Sequence, residues 1–252
     1  MQEAFSRSAM LLGQAALEAL SSSRVAVFGL GGVGGAATEA LARAGIGHLD
    51  LFDGDVIAQS NINRQIIALH STLGQPKAVV MRQRILDINP QADVKAQVLY
   101  YTPANADTVD LSPYDYILDC VDMVTAKLEL ITRAAALGIP IISAMGAGNK
   151  LHPEQLRLDD ISRTSVCPLA RVMRKELKAR GVERLMVAYS CETPLKPQGQ
   201  SGNAEDTVSG RRALPGSLPF VPAAMGLLMA SHVVRELCRL YIDEQTAQMP
   251  QF

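Results

Sequence analysis

No excess of charge of either sign marks this chain: 24 Lys and Arg stand against 25 Asp and Glu, a formal net charge of −1. No global field therefore pulls it onto nucleic acid or an anionic membrane, and any nucleic-acid contact must be a local patch. The four cysteines, Cys120, Cys167, Cys191 and Cys238, form no CxxC half-site, which argues against a structural zinc. The histidines, His48, His70, His152 and His232, show no metal-ligand spacing either. No secretory leader is expected, since Met1-Gln2-Glu3-Ala4 is acidic and Arg7 comes before any apolar run. Reduced thiols in a cytoplasm are the expectation. The longest weakly polar run, Val221–Val234, includes Ser231 and His232. It falls short of the ~18–20 residues that a membrane span needs and reads as a buried helix. No internal repeat is visible, and no sharp domain boundary.

What the chain does have is length and core material: 252 residues, 48% hydrophobic and 19% charged, the balance of a globular protein. Its organising stretch is Arg24–Arg64. An apolar run, Val25-Ala26-Val27-Phe28, turns at Gly29-Leu30-Gly31-Gly32-Val33-Gly34. A helical pattern covers Ala36 to Ala44, and the strand-like His48-Leu49-Asp50-Leu51-Phe52 ends on Asp53. This order of strand, glycine turn, helix, strand and acid is that of a nucleotide-binding βαβ unit. Phosphate oxygens approach such a turn closely, where a Cβ would block them. The helix start offers them free N–H groups and the positive end of a dipole. Asp53 comes about 20 residues after the turn, where a carboxylate accepts hydrogen bonds from ribose hydroxyls.

Around this unit the spacing predicts further elements. An amphipathic helix over 8–20 leads in. Gln59 to Leu73 is irregular, and Pro76 opens a helix to about Ile88. Strands are expected at Val94–Tyr100, Tyr116–Cys120 and Ile139–Ala144, with a helix over Val124–Leu137. After Gly146-Ala147-Gly148 come strands at Gln155–Leu158 and Leu185–Tyr189 around a basic helix, Pro168–Arg180, and Pro222–Leu240 closes the chain as a helix. The expectation is an α/β, Rossmann-like, mainly parallel sheet with helices on both faces and a C-terminal antiparallel extension. It is one domain over 1–252, with a nucleotide-binding half (1–150) and a substrate-side half (151–252). The stretch 190–216, rich in Pro, Gly, Ser and Gln, reads as a mobile loop.

The glycine turn alone fits a nicotinamide or flavin enzyme as well as an ATP user. A nicotinamide enzyme has no evident use for Arg64 and Lys77 at this place. An enzyme that splits ATP between its α and β phosphates does, because fixed cations stabilise the pyrophosphate charge. Other roles stay open residue by residue. Asp122 could cap the helix near Val124, Asp55 could be a turn residue, and Asp119 could be a strand end or a second carboxylate beside a metal. Cys120 reads as core.

The motifs Gly29-x-Gly31-Gly32-x-Gly34, Asp53-x-Asp55, Asn61-x-Asn63-Arg64-Gln65, Lys77 and Asp119-Cys120-Val121-Asp122 together resemble the adenylating superfamily of the ubiquitin-activating enzymes and their bacterial relatives ThiF and MoeB. The resemblance covers residues 1–150. Gly146-Ala147-Gly148-Asn149-Lys150, Asp160-Ile161, Thr164–Ala170 and Pro215–Pro222 resemble one branch, the tRNA threonylcarbamoyladenosine dehydratases (the TcdA group). The resemblance implies ATP-dependent adenylation of the threonylcarbamoyl carboxylate on a tRNA adenosine, then dehydration to the cyclic form. It implies ATP and magnesium as cofactors. Gly29, Gly31, Gly32 and Gly34 would form the phosphate turn, and Asp53 and Asp55 would lie in the nucleotide site, Asp53 on the ribose. Asn61 and Lys77 would contact phosphates, and Asp122 would hold magnesium. Arg64 would be an arginine finger reaching the partner's ATP in a homodimer. Arg64, Lys77 and Asp122 are thus the expected catalytic residues. A cysteine desulfurase or sulfur-relay protein is a further implied partner.

Two departures stand out. The zinc-binding CxxC pairs of ThiF and MoeB are absent. The segment Pro215–Val221 also lacks the cysteine that some of these dehydratases carry nearby, which leaves Cys191, then Cys167, as the thiol candidates. Between Arg157 and Arg184, cations (Arg157, Arg163, Arg171, Arg174, Lys175, Lys178, Arg180, Arg184) outnumber acids (Asp159, Asp160, Glu176, Glu183). This is either a solvated helix face or a track for RNA phosphates. The alternative functions are adenylation of a small sulfur-carrier protein's C-terminus, a non-catalytic nucleotide-binding module, and a nicotinamide oxidoreductase.

Overall fold

In the computed structural model, which describes residues 3–196 and 215–239, the apolar runs become strands buried on both faces. β1 (Arg24–Phe28) alternates its side chains: Val25 and Val27 enter one core, and Ala26 and Phe28 enter another. β2 (His48–Phe52), β3 (Asp93–Gln97), β4 (Tyr116–Asp119) and β5 (Ile141–Ala144) run parallel to it. Past β5 the second half of the chain adds β6 (Leu156–Asp160) and β7 (Met186–Ser190). The sheet order is β3-β2-β1-β4-β5-β7-β6. β7 is parallel to β5, so the antiparallel extension is the single strand β6.

The helix expected over 8–20 is two helices, α1 (Ser6–Leu12) and α2 (Gln14–Ser22). Gly13 between them has φ 80° and cannot continue a right-handed helix. α3 (Gly32–Ala44) starts inside the glycine turn and stops at Gly45 in the left-handed region. α4 (Lys77–Ile88) follows Pro76. α5 (Val124–Leu137) ends at left-handed Gly138, and α6 (Pro168–Lys178) begins on its proline. α2, α3 and α4 cover one face of the sheet, and α5 and α6 cover the other.

α7 (Phe220–Leu237) is the buried helix expected over Val221–Val234, though longer than that run. It is 18 residues long and, by length and composition alone, apolar enough to cross a membrane. It packs instead as a core helix on α3. Val221, Met225, Met229 and Val233 are buried, and Gly226 leaves no room for a Cβ against the Val33 carbonyl. The loop expected over 190–216 is pinned at both ends. Glu192 accepts the backbone N–H groups of Leu151 (2.9 Å) and His152 (2.9 Å). Asn149 exchanges hydrogen bonds with Gly216, with its N–H donating to the Gly216 carbonyl at 2.7 Å and its Oδ1 accepting from the Gly216 N–H at 2.6 Å. The rest of that loop, 197–214, lies outside the described residues.

Candidate functional site

β1 has β2 on one side and β4 on the other, so the chain's winding reverses beside it. A crevice forms at such a reversal, outside the carboxyl ends of the strands. Here it is a cleft of about 360 Å³. Gly29, Gly31, Gly32, Asp53, Asp55, Asn61, Arg64, Lys77 and Asp122 line it. Every residue expected at a nucleotide site lines this cleft except Gly34.

The glycines serve different ends. Gly29 has φ 88°, and a Cβ on it would meet the Cys120 carbonyl at 2.6 Å. A Cβ on Gly34 would run into the Gly29 carbonyl, and one on Gly32 would sit 2.9 Å from the Pro222 side chain. These three are required by packing. Only at Gly31 does the added Cβ find near-empty space, with the Gln65 amide nitrogen 3.9 Å away. Of the four, Gly31 is therefore the one that leaves room for a phosphate against the backbone.

Asp53 braces the turn: Leu30 N–H donates to its Oδ2 at 2.6 Å and Asp55 N–H to its Oδ1 at 2.8 Å. Burial raises its pKa above the ordinary carboxylate value, against those hydrogen bonds and the Lys77 charge. Asp55 is no mere turn residue. Its Oδ2 pairs with Lys77 Nζ at 2.6 Å, and its Oδ1 accepts the Tyr100 hydroxyl at 2.7 Å. Burial works against ionisation, but these partners hold the Asp55 carboxyl below its usual value. Lys77 and Asp55 are far apart in sequence and meet because Val56 and Pro76 form an antiparallel bridge, with Lys77 N–H on the Asp55 carbonyl at 3.0 Å.

Asn61 Oδ1 accepts Ala58 N–H at 3.1 Å, which leaves the amide's N–H donors without a partner among the described residues. Arg64 Nη1 donates to the Ser60 carbonyl (2.7 Å) and to Asn63 Oδ1 (3.0 Å). Asn63 in turn donates to the Ser217 carbonyl at 2.9 Å, tying this stretch to the segment before α7. Asp122 is exposed and caps nothing: the residue before α5 is Met123, with no side-chain cap. Among the described residues no group of three His, Cys, Asp or Glu could hold a metal ion unaided. A single carboxylate suits magnesium, which typically takes one or two protein oxygens and the phosphates of its nucleotide.

The sequence profile of the ThiF family matches residues 5–252. The chain belongs to the ThiF family. It is similar to the tRNA threonylcarbamoyladenosine dehydratase of Bacillus subtilis (strain 168), 39% identical over 244 residues, covering 95% of this chain and 96% of that protein. The Escherichia coli (strain K12) protein of the same name is 33% identical over 251 residues, covering 94% of each. Among solved structures, E. coli TcdA in complex with ATP superposes with a TM-score of 0.81 at 31% identity, covering 98% of this chain and 97% of that one.

Several contacts around this ThiF-family site escaped sequence reasoning. Asp119 is a strand end, the last residue of β4, as the sequence suggested. It is fully buried, paired with Lys127 Nζ at 2.9 Å, and accepts the Ser143 hydroxyl at 2.6 Å. Lys127 lies in the first turn of α5, eight residues after Asp119 at the end of β4, and meets it only once α5 is laid on the sheet. Tyr100, expected to end a strand, stands in the cleft with its ring against Gly54, where a Cβ would lie 2.5 Å from it. Of the thiols, Cys167 and Cys238 are buried and Cys191 is partly exposed. Burial, with the neighbouring Asp119 charge, pushes the Cys120 thiol up to about 12.

Proposed function

We propose that this chain is an ATP-dependent tRNA threonylcarbamoyladenosine dehydratase. The observation that carries the reading is the gathering of Asp53, Asn61, Arg64, Lys77 and Asp122 on one cleft, in a chain whose likeness to the dehydratases runs through both halves. Attack by a carboxylate on the α-phosphate of ATP gives an acyl-adenylate and pyrophosphate. Ring closure then expels AMP, and the modified base has lost one water. Asp53 holds the ribose, and Gly31 lets phosphates approach the backbone. Asn61 and Lys77 bind phosphate oxygens, and the alignment of acid with α-phosphate supplies most of the rate. Magnesium, held by Asp122 with the phosphates, would neutralise charge on the leaving pyrophosphate. Residues 1–252 act as one unit, and a tRNA substrate puts the enzyme in the cytoplasm.

The test is mass spectrometry of nucleosides from tRNA carrying threonylcarbamoyladenosine, incubated with enzyme, ATP and magnesium. The expected product is one water lighter. An unchanged nucleoside, with pyrophosphate exchange driven by a Gly-Gly-ended protein, would move the reading to the sulfur-carrier alternative.

For the homodimer, the support is apolar surface next to Arg64: Ile66, Leu69 and Leu73 are 38%, 51% and 38% exposed. A second copy would cover them and receive Arg64 in its own nucleotide site. Arg64→Ala is expected to abolish adenylation and spare ATP binding. Mixed dimers of Arg64→Ala with Lys77→Met subunits should regain activity, since one site then keeps both groups. A mixture as inactive as its parents would place Arg64 in its own chain's site.

For RNA, the basic segment separates into tied and untied cations. Arg163 is paired with Asp159, Arg180 with Glu176, and Arg174 with the Thr164 carbonyl. Arg171, Lys175 and Lys178 are exposed, have no ion-pair partner among the described residues, and share one face of α6 at i, i+4 and i+7. Like charges so placed repel, and together they span roughly 10 Å of helix. Replacing all three by Ala should weaken tRNA binding and flatten its salt dependence by about 0.7–0.9 for each phosphate that is no longer neutralised. An unchanged slope would mean a merely solvated face. Of the two thiol candidates, Cys191 and Cys167, a sulfur-relay partner would meet Cys191 first, since Cys167 is buried.

A further inference from the structure

Gln65 is a polar side chain placed at a cost. It is 6% exposed and lines the nucleotide cleft. Its Oε1 is buried and, among the described residues, has no hydrogen-bond donor. Its backbone is held at both ends: the N–H donates to the Asn61 carbonyl and the carbonyl accepts Ala68 N–H, each at 2.9 Å. These bonds fix where the side chain leaves the backbone, at the edge of the cleft. A leucine would fill much the same space and strand no polar atom. A buried amide oxygen with no partner is a standing loss of folding free energy.

The other end of the amide explains the loss. Among the described residues, and setting aside Gly31's chain neighbours, Nε2 is the one atom within 4 Å of the place a Cβ would take on Gly31, at 3.9 Å. Gly31 is the glycine of the turn with open space in front of it. We infer that Gln65 is a phosphate-binding residue, its Nε2 donating a hydrogen bond to a phosphate oxygen of the nucleotide as it lies against Gly31. The inference rests on the adenylating function proposed above and adds a contact to the same cleft. A neutral amide suits this position. Lys77 already brings charge, shared with Asp55, whereas an amide fixes direction without adding a second cation. Its bond to an ionic oxygen is of the stronger, charge-assisted kind.

The sign of the stability change separates this role from a structural one. The full-length chain with Gln65→Leu should melt at or above the wild-type temperature without nucleotide, because an orphaned polar atom is gone. It should bind ATP about tenfold more weakly or worse by calorimetry. Gln65→Glu, which turns a carboxylate toward the phosphates, should bind ATP more weakly still. ATP binding by Gln65→Leu as tight as the wild type would overturn the inference. So would a large drop in melting temperature alongside the weaker binding, since the amide would then be structural. Wild-type protein that binds no ATP would instead remove the nucleotide reading, a failure distinct from that of Gln65 alone.

Discussion

Lys77→Met should lower tRNA-dependent pyrophosphate exchange by about 10³-fold. Part of the loss is the missing cation, since removing one preorganised donor from a site of developing charge costs about 10²–10³ in rate. The rest comes from Asp55. In the folded protein its carboxylate is matched by Lys77 at 2.6 Å, and Lys77 is only 5% exposed. With methionine in place, a bare carboxylate faces the triphosphate and repels it. The double variant Lys77→Met/Asp55→Asn should therefore recover about tenfold over the single one. No recovery would mean that Asp55 has a task of its own. Exchange near the wild-type rate in Lys77→Met would remove lysine from the machinery altogether.

Lys127→Met should destabilise the protein by about 3–5 kcal/mol, the cost of stranding a buried charge. Asp119 would lose its ammonium partner while both positions remain sealed from water. Against a total stability of about 5–15 kcal/mol, this shifts Tm down by roughly 10 °C. Asp119→Asn/Lys127→Met removes both charges and should melt within a few degrees of the wild type. What the pair contributes is placement. Asp119 Oδ1 also accepts Val121 N–H at 3.3 Å, and that turn leads straight to Asp122. Its neighbour Cys120 packs on Gly29, so the phosphate turn and the Asp122 turn share one footing. Thermal melts of the single and double variants test this. A single variant as stable as the double would show that the charges are not coupled as their geometry requires.

The residues that sequence reasoning located best were those whose role is local. The expected helix ends at Ala44 and Leu137 hold because the next residues, Gly45 and Gly138, take the left-handed conformation that closes the turn, and Pro76 and Pro168 precede or start helices because their missing N–H costs nothing there. The strand–turn–helix–strand unit and Asp53 were readable for the same reason, since spacing along one chain determines where the turn and the acid fall. Room for a close approach to the backbone is found at Gly31 but not at Gly29, Gly32 and Gly34. Their neighbours are Cys120, Pro222 and the turn's own backbone, and no local pattern announces a neighbour as distant in sequence as Cys120 or Pro222. Asp119 and Asp55 were ambiguous for a like reason, because each is defined by a lysine brought to it by another element.

The sequence by itself determined the order of elements, the βαβ unit, the parallel character of the sheet and the identity of the polar groups offered at strand ends. Periodicity, glycine, proline and caps act within a few residues, so they survive without a fold. Only the tertiary structure decided which cations are already paired, which glycine faces open space, that Gln65 and Tyr100 line the cleft, and that Lys127 is sealed against Asp119. Those are properties of burial and of partners from remote segments, and burial exists only once the sheet has closed on its helices.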